Sequence, residues 1–446
     1  MSDQEMTLDN FIDSSDRGGK DPIWKEVQLR GLVKQLQAGG TPATSNDEYY
    51  DGDIPWVKTG ELGQLKIDST EQTITERGLK ESTARLFPSE TVLVAMYGAT
   101  TGEVSILDTE AATNQACCGI IPVDRLVPQY LYYQLVHEKT HLKSLSAGSG
   151  QQNISKSILE KYRIPLAPVS EQRKIATILY TVDQVIEKTE DVVEQADKIK
   201  KGLIQKFYST GYYDHPEWQK VDMQDAYVMT RTDKLPATWE IKQSDDIAEV
   251  KTGHTPSTSV EEYWDGEIPW VDIHDLTQLE ETVIHSTDDT ITKEGLNNSG
   301  AKLLPEGTLV LCRTGAIGET AILGREMATD QDQVTFECDE SEVLPRYLMY
   351  LFEYATPQLK RLSAGSTHDK VQLHFFSDLE IPLPEIDEQR QIVNAIESVD
   401  EMSQANKGQL DNLQRLKKGL MQDLLSGTVR TTDTNIEVPE HIMQHG

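Results

Sequence analysis

One stretch of this chain occurs twice and organises the rest. Its first copy is IPLAPVSEQRKI (Ile164–Ile175) and its second is IPLPEIDEQRQI (Ile381–Ile392). Each leads into a long helical pattern, closed by KKGLIQKF (Lys200–Phe207) in one case and KKGLMQDL (Lys417–Leu424) in the other. Both the opening and the closing motifs are separated by 217 positions, so the interior spacing is the same in the two copies. Repetition at a fixed offset means one structural unit used twice.

Pro165 and Pro168 forbid helix through their own stretch, so helix begins after them. Ser170 is the expected N-cap, with the early acid Glu171 suited to the positive end of a helix. Beyond it, apolar residues fall at Ile175, Ile178, Val182, Val185, Val192, Ala196, Ile199 and Leu203. With Thr189 in the one gap, the steps alternate three and four, as in a coiled-coil seam. The second copy places Ile392, Ala395, Val399, Met402, Leu413, Leu416 and Leu420 at matching positions, with Asn406 and Gln409 on the seam. A seam Asn fixes register. Roughly forty residues at 1.5 Å each make a rod of about 60 Å. Each rod carries a full apolar stripe, so each is the natural antiparallel partner of the other; the alternative is two amphipathic helices on separate cores.

The repetition extends upstream. GGTPATSNDEYYDGDIPWV (Gly39–Val57) answers GHTPSTSVEEYWDGEIPWV (Gly253–Val271), and TITERGL (Thr73–Leu79) answers TITKEGL (Thr290–Leu296). LVAMYGATTGEVSIL (Leu93–Leu107) answers LVLCRTGAIGETAIL (Leu309–Leu323), and LSAGS recurs at Leu145 and Leu362. Short alternating strands with Gly and Pro turns, followed by helix, make each half an α+β module. The expected order is a polar tail (1–20), a first module (21–165), a first rod (166–210), a linker (211–235), a second module (236–383), a second rod (384–428) and a loose tail (429–446). The linker has no expected counterpart after Leu424. Two modules and two antiparallel rods give a pseudo-twofold chain.

The 446 residues carry a net charge of −32. Between Ser170 and Ser209 seven acids balance seven bases, so the acidic excess lies mostly on the modules. Such a surface suits very high salt, where repulsion is screened and carboxylates hold water. A halophilic setting is therefore expected; an acidic imitation of DNA is the rival reading. The apolar runs are too short to cross a bilayer, and the polar start lacks a signal-peptide core, so a cytoplasmic, membrane-free protein is expected. Cys117, Cys118, Cys312 and Cys338 have no metal-ligand spacing.

No catalytic pattern stands out. A phosphate-cradling Gly-Lys-Ser/Thr loop is missing, and the glycines at 98–102 and 315–318 read as strand turns. His137 and His141 lack a third ligand, so no metal is assigned. What the modules offer instead is planar and basic side chains in turns. These are Lys58, Arg77, Lys80, Arg85, Gln151, Gln152, Asn153 and Lys156 in the first. In the second they are His274, Lys293, Asn297, Asn298, Lys302, Arg313, His368, Lys370 and Gln372. Arg and Lys match guanine edges, and Asn and Gln match adenine edges, in the major groove. The modules diverge most in these turns, as in GSGQQNISK against GSTHDKVQL. A shared scaffold with different loops suits two readers of different sequences.

GSGQQNISKSILEKYRIPLAPVSEQRKI (Gly148–Ile175) and GSTHDKVQLHFFSDLEIPLPEIDEQRQI (Gly365–Ile392), each followed by a helix ending in KKGL, resemble the specificity subunits of type I restriction–modification systems. The resemblance runs from Trp24 to about Thr428. It implies two target recognition domains joined by spacer helices, in a non-catalytic subunit that reads a bipartite asymmetric site on double-stranded DNA. It further implies assembly with two modification (methyltransferase) subunits and with restriction/translocase subunits. S-adenosylmethionine, ATP and magnesium would belong to those partners, leaving no cofactor in this chain. The charge of −32 departs from the usual basic DNA reader. Two other readings stand beside this one: an acidic DNA-mimicking inhibitor and a coiled-coil scaffold.

Overall fold

The computed structural model describes residues 24–145, 153–222, 227–279, 281–363 and 370–443. The expected polar tail lies outside them. The chain divides into a unit of residues 1–188 with 410–446 and a unit of residues 189–409.

In the first unit a five-stranded sheet runs in the order Val33–Ala38, Cys117–Pro122, Val92–Ala95, Val104–Leu107, Lys66–Ile67. All its pairings are antiparallel except the last, which is parallel. Val92 and Val94 face a large core shared with the helix Pro128–His137, while Leu93 and Ala95 face a smaller core with Phe87 and Val57. The strand is therefore buried on both sides, which is why it reads as an unbroken apolar run. Beyond the smaller core lies a second sheet, in the order Thr73–Ile74, Tyr50–Val57, Ala111–Thr113, Leu86–Phe87.

The second unit repeats the plan. Its five strands are Ala248–Thr252, Gln333–Cys338, Leu309–Cys312, Thr320–Leu323 and Val283–Ile284, with Thr290–Ile291, Trp264–Val271 and Ala328–Thr329 as the second sheet. Small exchanges keep the packing full. Phe87 lies against Gly119, where a Cβ would come within 2.4 Å of the ring. The second unit has Leu304 and Thr335 at these places, a smaller side chain traded for a larger one.

The repeated GxTP…DGxIPW motif builds a compact corner. Trp56 Nε1 donates to Gly40 O at 3.1 Å, and Trp270 Nε1 to His254 O at 3.2 Å. The strand bulges so that Tyr50 and Ile54 both pair with Ile74, and Trp264 and Ile268 both pair with Ile291. Asp51 and Asp265 take the left-handed backbone, each at φ 57°, a conformation Asp tolerates. At Gly52 a Cβ would lie 2.6 Å from Ile74 O, so the bulge demands glycine.

The long helices span Val169–Thr210 and Ile386–Leu425 and pack together, as expected of the rods. Ser170 is not the cap: the first helix starts one residue before it, and the Glu171 and Gln172 amides both donate to Pro168 O at 2.9 Å. The inward stripe also differs from the expected seam. Val185, Ile199 and Leu416 are 39%, 49% and 51% exposed, and Val192 and Met402 are exposed too, while Ile178, Val182, Leu203, Val399, Leu413 and Leu420 are only half-buried. Of the expected seam, Ile175, Thr189, Ala196 and Ile392 are buried. The buried positions are instead Leu179, Ile204, Ile396, Met421 and Leu424, with the charged Asp183, Lys200, Asp400 and Lys417 partly covered between them. The stripe is rotated by one residue because these charges turn inward and are paired there. Asn406 does not reach across; its amide donates to Met402 O of its own helix at 2.7 Å.

Nor are the described residues of the expected tail loose. Arg430 forms a two-pronged pair with Glu171, Lys174 Nζ donates to the carbonyls of Thr431, Thr432 and Thr434, and Ile442 is buried in the main core of the first unit. Glu388, the equivalent of Glu171, receives the Tyr212 amide at 2.8 Å, His215 Nε2 at 2.9 Å and Trp239 Nε1 at 3.3 Å. The start of the linker thus does have a counterpart: Gly211 and Gly427, both at positive φ, end the two helices and lead into segments that each cover a buried glutamate.

Candidate nucleic-acid interface

A site at the far end of a sheet must be held by what lies beneath it. Both units use one buried glutamine for this. Gln172 accepts from the Val127 amide at 2.8 Å and donates to Ala167 O and Arg125 O at 2.8 and 3.0 Å. Gln389 repeats this with the Leu344 amide, Glu342 O and Pro384 O. The EQR motif therefore locks the start of the module helix to the start of the long helix. Every polar atom of a fully buried amide is satisfied, which is the condition for its being stable there.

On this base two loops meet in each unit. In the first, Gly98 and Gly102 take positive φ and turn the chain between the strands Val92–Ala95 and Val104–Leu107. The Ile154 amide donates to Met96 O at 2.7 Å, which brings Asn153–Lys156 beside that turn. In the second unit Gly315 and Gly318 make the corresponding turn, Thr314 pairs with Lys370, and the Val371 amide donates to Arg313 O at 2.9 Å. The Gly98–Gly102 turn and Asn153–Lys156, far apart in sequence, form one surface.

The candidate residues fall into three groups. Asn153, Lys156 and, in the other unit, Lys370 and Gln372 are at these junctions; Lys156 is 3.5 Å from Glu160 and Lys370 is 3.2 Å from Asp332. Gln151, Gln152 and His368 lie outside the described residues. Lys58, Arg77, Lys80 and Arg85 belong to the second-sheet region of the first unit, as do His274, Lys293, Asn297, Asn298 and Lys302 in the other, and are not brought to the junctions. Most are already engaged. Arg77 pairs with Glu48 and Glu81, Lys80 with Glu76 at 2.7 Å, Lys58 with Glu71 at 3.7 Å, and His274 with Asp288 at 3.7 Å. Arg85 bonds the Gln37 amide oxygen. Lys293 and Lys302 are exposed.

Arg313 is corrected from a base reader to a structural residue. It is 7% exposed, and its guanidinium donates to Gln331 O at 2.6 and 3.1 Å and to Val371 O at 3.1 Å. It thereby ties the turn to the neighbouring loop. Sequence reading missed Asp330, which accepts from the Asp332 amide at 2.7 Å and whose burial, with Asp332 and Asp272 nearby, pushes its pKa up to about 6. Asn114 does the same work in the first unit, accepting from the Ala116 and Cys117 amides. Comparing the two copies residue by residue could have found that Asn-to-Asp exchange.

Among the described residues no cluster of three His, Cys, Asp or Glu could hold a metal, and no helix is long and apolar enough to cross a membrane. Burial pushes the Cys118, Cys312 and Cys338 thiols up to about 12, leaving them poor nucleophiles.

The type I restriction modification DNA specificity domain matches this chain twice, over residues 23–195 and 236–415. The MjaIX specificity subunit of Methanocaldococcus jannaschii is 32% identical over 304 residues, 67% of this chain and 68% of that protein. The MjaVIII specificity subunit of the same organism is 22% identical over 92% of this chain and 94% of its own length. Among solved structures, the type I S subunit from M. genitalium superposes with a TM-score of 0.58 at 16% identity, covering 92% of this chain and 98% of that one. With two matched domains over most of its length, the chain belongs to the type I restriction–modification DNA specificity family.

Proposed function

We propose that this chain reads a bipartite, asymmetric site on double-stranded DNA, one half-site per unit, and catalyses nothing itself. It would position two modification subunits, whose S-adenosylmethionine methylates the target, and join restriction subunits driven by ATP and magnesium. The observation that carries the reading is the junction of loops found in each unit. One scaffold presents Gly98–Gly102 beside Asn153–Lys156 in one case and Thr314–Gly318 beside Lys370–Gln372 in the other. The scaffold residues are kept between copies while the loop residues differ, as two readers of unlike half-sites require. Phosphate contacts set position and loop side chains give sequence.

Mapping methylated bases across the genome of a host carrying the assembled system tests this. Asn153→Ala should relax one half-site only, by about 1–3 kcal/mol of discrimination for a lost bidentate contact. Equal blurring of both half-sites, or no change at either, would overturn the assignment.

A further inference from the structure

The two units differ at one place where the repeat predicts sameness. In the second unit the linker strand Tyr227–Arg231 fills a groove beside the module helix. The Glu380 amide donates to Tyr227 O at 3.0 Å and the Met229 amide to Glu380 O at 2.9 Å. The Gln358 amide donates to Thr230 O, the Arg231 amide to the Tyr354 hydroxyl at 3.2 Å, and the Tyr227 ring lies 5.5 Å from Phe375. Val228, Met229 and Thr230 are buried by this.

Shifted by 217 positions, Tyr354, Gln358, Phe375, Asp378 and Glu380 become His137, His141, Ile158, Lys161 and Arg163. In the first unit these five line a groove of about 570 Å³, with Leu425 at its base. The linker filler has a sequence counterpart. Before Trp239 stands DAYVMT (Asp225–Thr230), and before Trp24 stands DNFIDS (Asp9–Ser14), an aromatic–aliphatic pair after Asp and a hydroxyl residue two places later. The aromatic lies twelve residues before its tryptophan in one case and thirteen in the other.

We propose that the segment Asp9–Ser14 of this chain docks in the groove lined by His137, His141, Ile158, Lys161 and Arg163. The charges exchange in step. At the matching positions the acids Asp378 and Glu380 of the second unit become the bases Lys161 and Arg163 in the first, and Met229 of the filler becomes Asp13. The first sixteen residues carry five acids and no base, which suits that lining. Phe11 takes the place of Tyr227 against Ile158, Ile12 that of Val228, and His141 replaces Gln358 as the donor to a segment carbonyl. Twelve residues from Ile12 to Trp24 reach up to about 40 Å when extended, ample to return to the module. The proposal concerns the first unit alone and is independent of what the loops read.

Placing p-benzoylphenylalanine at Ser157, an exposed residue of the groove wall, in the full chain tests it. Irradiation followed by peptide mass mapping should link Ser157 to the peptide containing Phe11, at a yield independent of protein concentration. Phe11→Asp should lower that yield about tenfold, since a charged side chain forfeits the burial of the ring, and Lys161→Glu should lower it too. A link unchanged by Phe11→Asp, one that maps to another segment, or one that grows with concentration and joins two chains would each overturn the proposal. The terminal substitution leaves the core intact, and an unchanged far-ultraviolet dichroism spectrum verifies this.

Discussion

Lys417 Nζ lies 2.6 Å from Asp183 Oδ1, and Asp183 Oδ2 accepts from the Tyr133 hydroxyl at 2.7 Å. In the other unit Lys200 stands 3.1 Å from Asp400, which accepts from Tyr350 at 2.8 Å. Each member of the second trio sits 217 positions from its counterpart, with the roles of the two helices exchanged. In both pairs the partner numbers sum to 600, the signature of antiparallel packing.

Lys200 also reaches Glu353 at 3.3 Å, and these two carboxylates outweigh the opposing effect of burial to raise its pKa. Lys200→Met should therefore leave two half-buried carboxylates without their cation and cost about 2 kcal/mol, less than a fully buried pair because both stay partly wet. Thermal melts of Lys200→Met, Asp400→Asn and the double variant measure it. Losses that simply add would mean that the pair is not coupled.

The Arg430 hydrogen bonds hold the Glu171 carboxyl below the usual range. A depressed carboxyl stabilises the fold above its unfolded pKa, and that contribution is lost as pH falls through the folded value. Arg430→Ala should lower stability at neutral pH and flatten the acid limb of the curve below about pH 4.5. Parallel curves for variant and parent would refute the linkage.

Asp330 is the opposite case, with its folded pKa up at about 6. A raised carboxyl favours the fold below its unfolded pKa, and this is lost as pH rises through the folded value. Asp330→Asn, which copies Asn114, should stabilise the second unit above about pH 6 and leave stability near pH 4 little changed. Denaturant melts at the two pH values decide the matter.

Lys58, Arg77, Lys80, Lys156 and Lys370 each stand beside a carboxylate, so a phosphate contact through any of them must displace an ion pair, on a chain whose net charge is −32. The assembled complex should bind its target with a shallow salt slope up to molar potassium chloride, the behaviour expected in a high-salt setting. A slope as steep as that of a basic repressor would count against base contacts as the source of affinity.

If the long helices set the gap between half-sites, lengthening them should lengthen it. Four residues inserted after Glu190 and four after Gln409 keep the 183–417 and 200–400 pairs intact and add about 6 Å, close to one turn. At about 3.4 Å per base pair the methylated motif should gain one or two pairs of spacing with its half-sites unaltered. An unchanged gap with full activity would show that the helices do not set the distance.

Periodicity and repetition alone determined much of this. Two α+β modules, two long helices and their order follow from Pro-bounded apolar patterns and a fixed offset, because local sterics and burial act residue by residue. What depended on three dimensions was which charges face inward. Asp183, Lys200, Asp400 and Lys417 look like solvent-side residues in a linear pattern, which places the seam one residue away, at Val182, Ile199, Val399 and Leu416. Only packing shows that each charge meets an opposite one, which makes its burial tolerable. Arg313 shows the same limit at the candidate interface. An arginine in a turn suggests base reading, yet the Gln331 and Val371 carbonyls, distant in sequence, claim its donors. Gln172 shows it too, since its partners Arg125 and Val127 lie more than forty residues away and only the fold brings them to it. Patterns of neighbours are written in the chain, whereas partners for polar groups are chosen by the tertiary structure, because a hydrogen bond or ion pair depends on distance in space and not on separation in sequence.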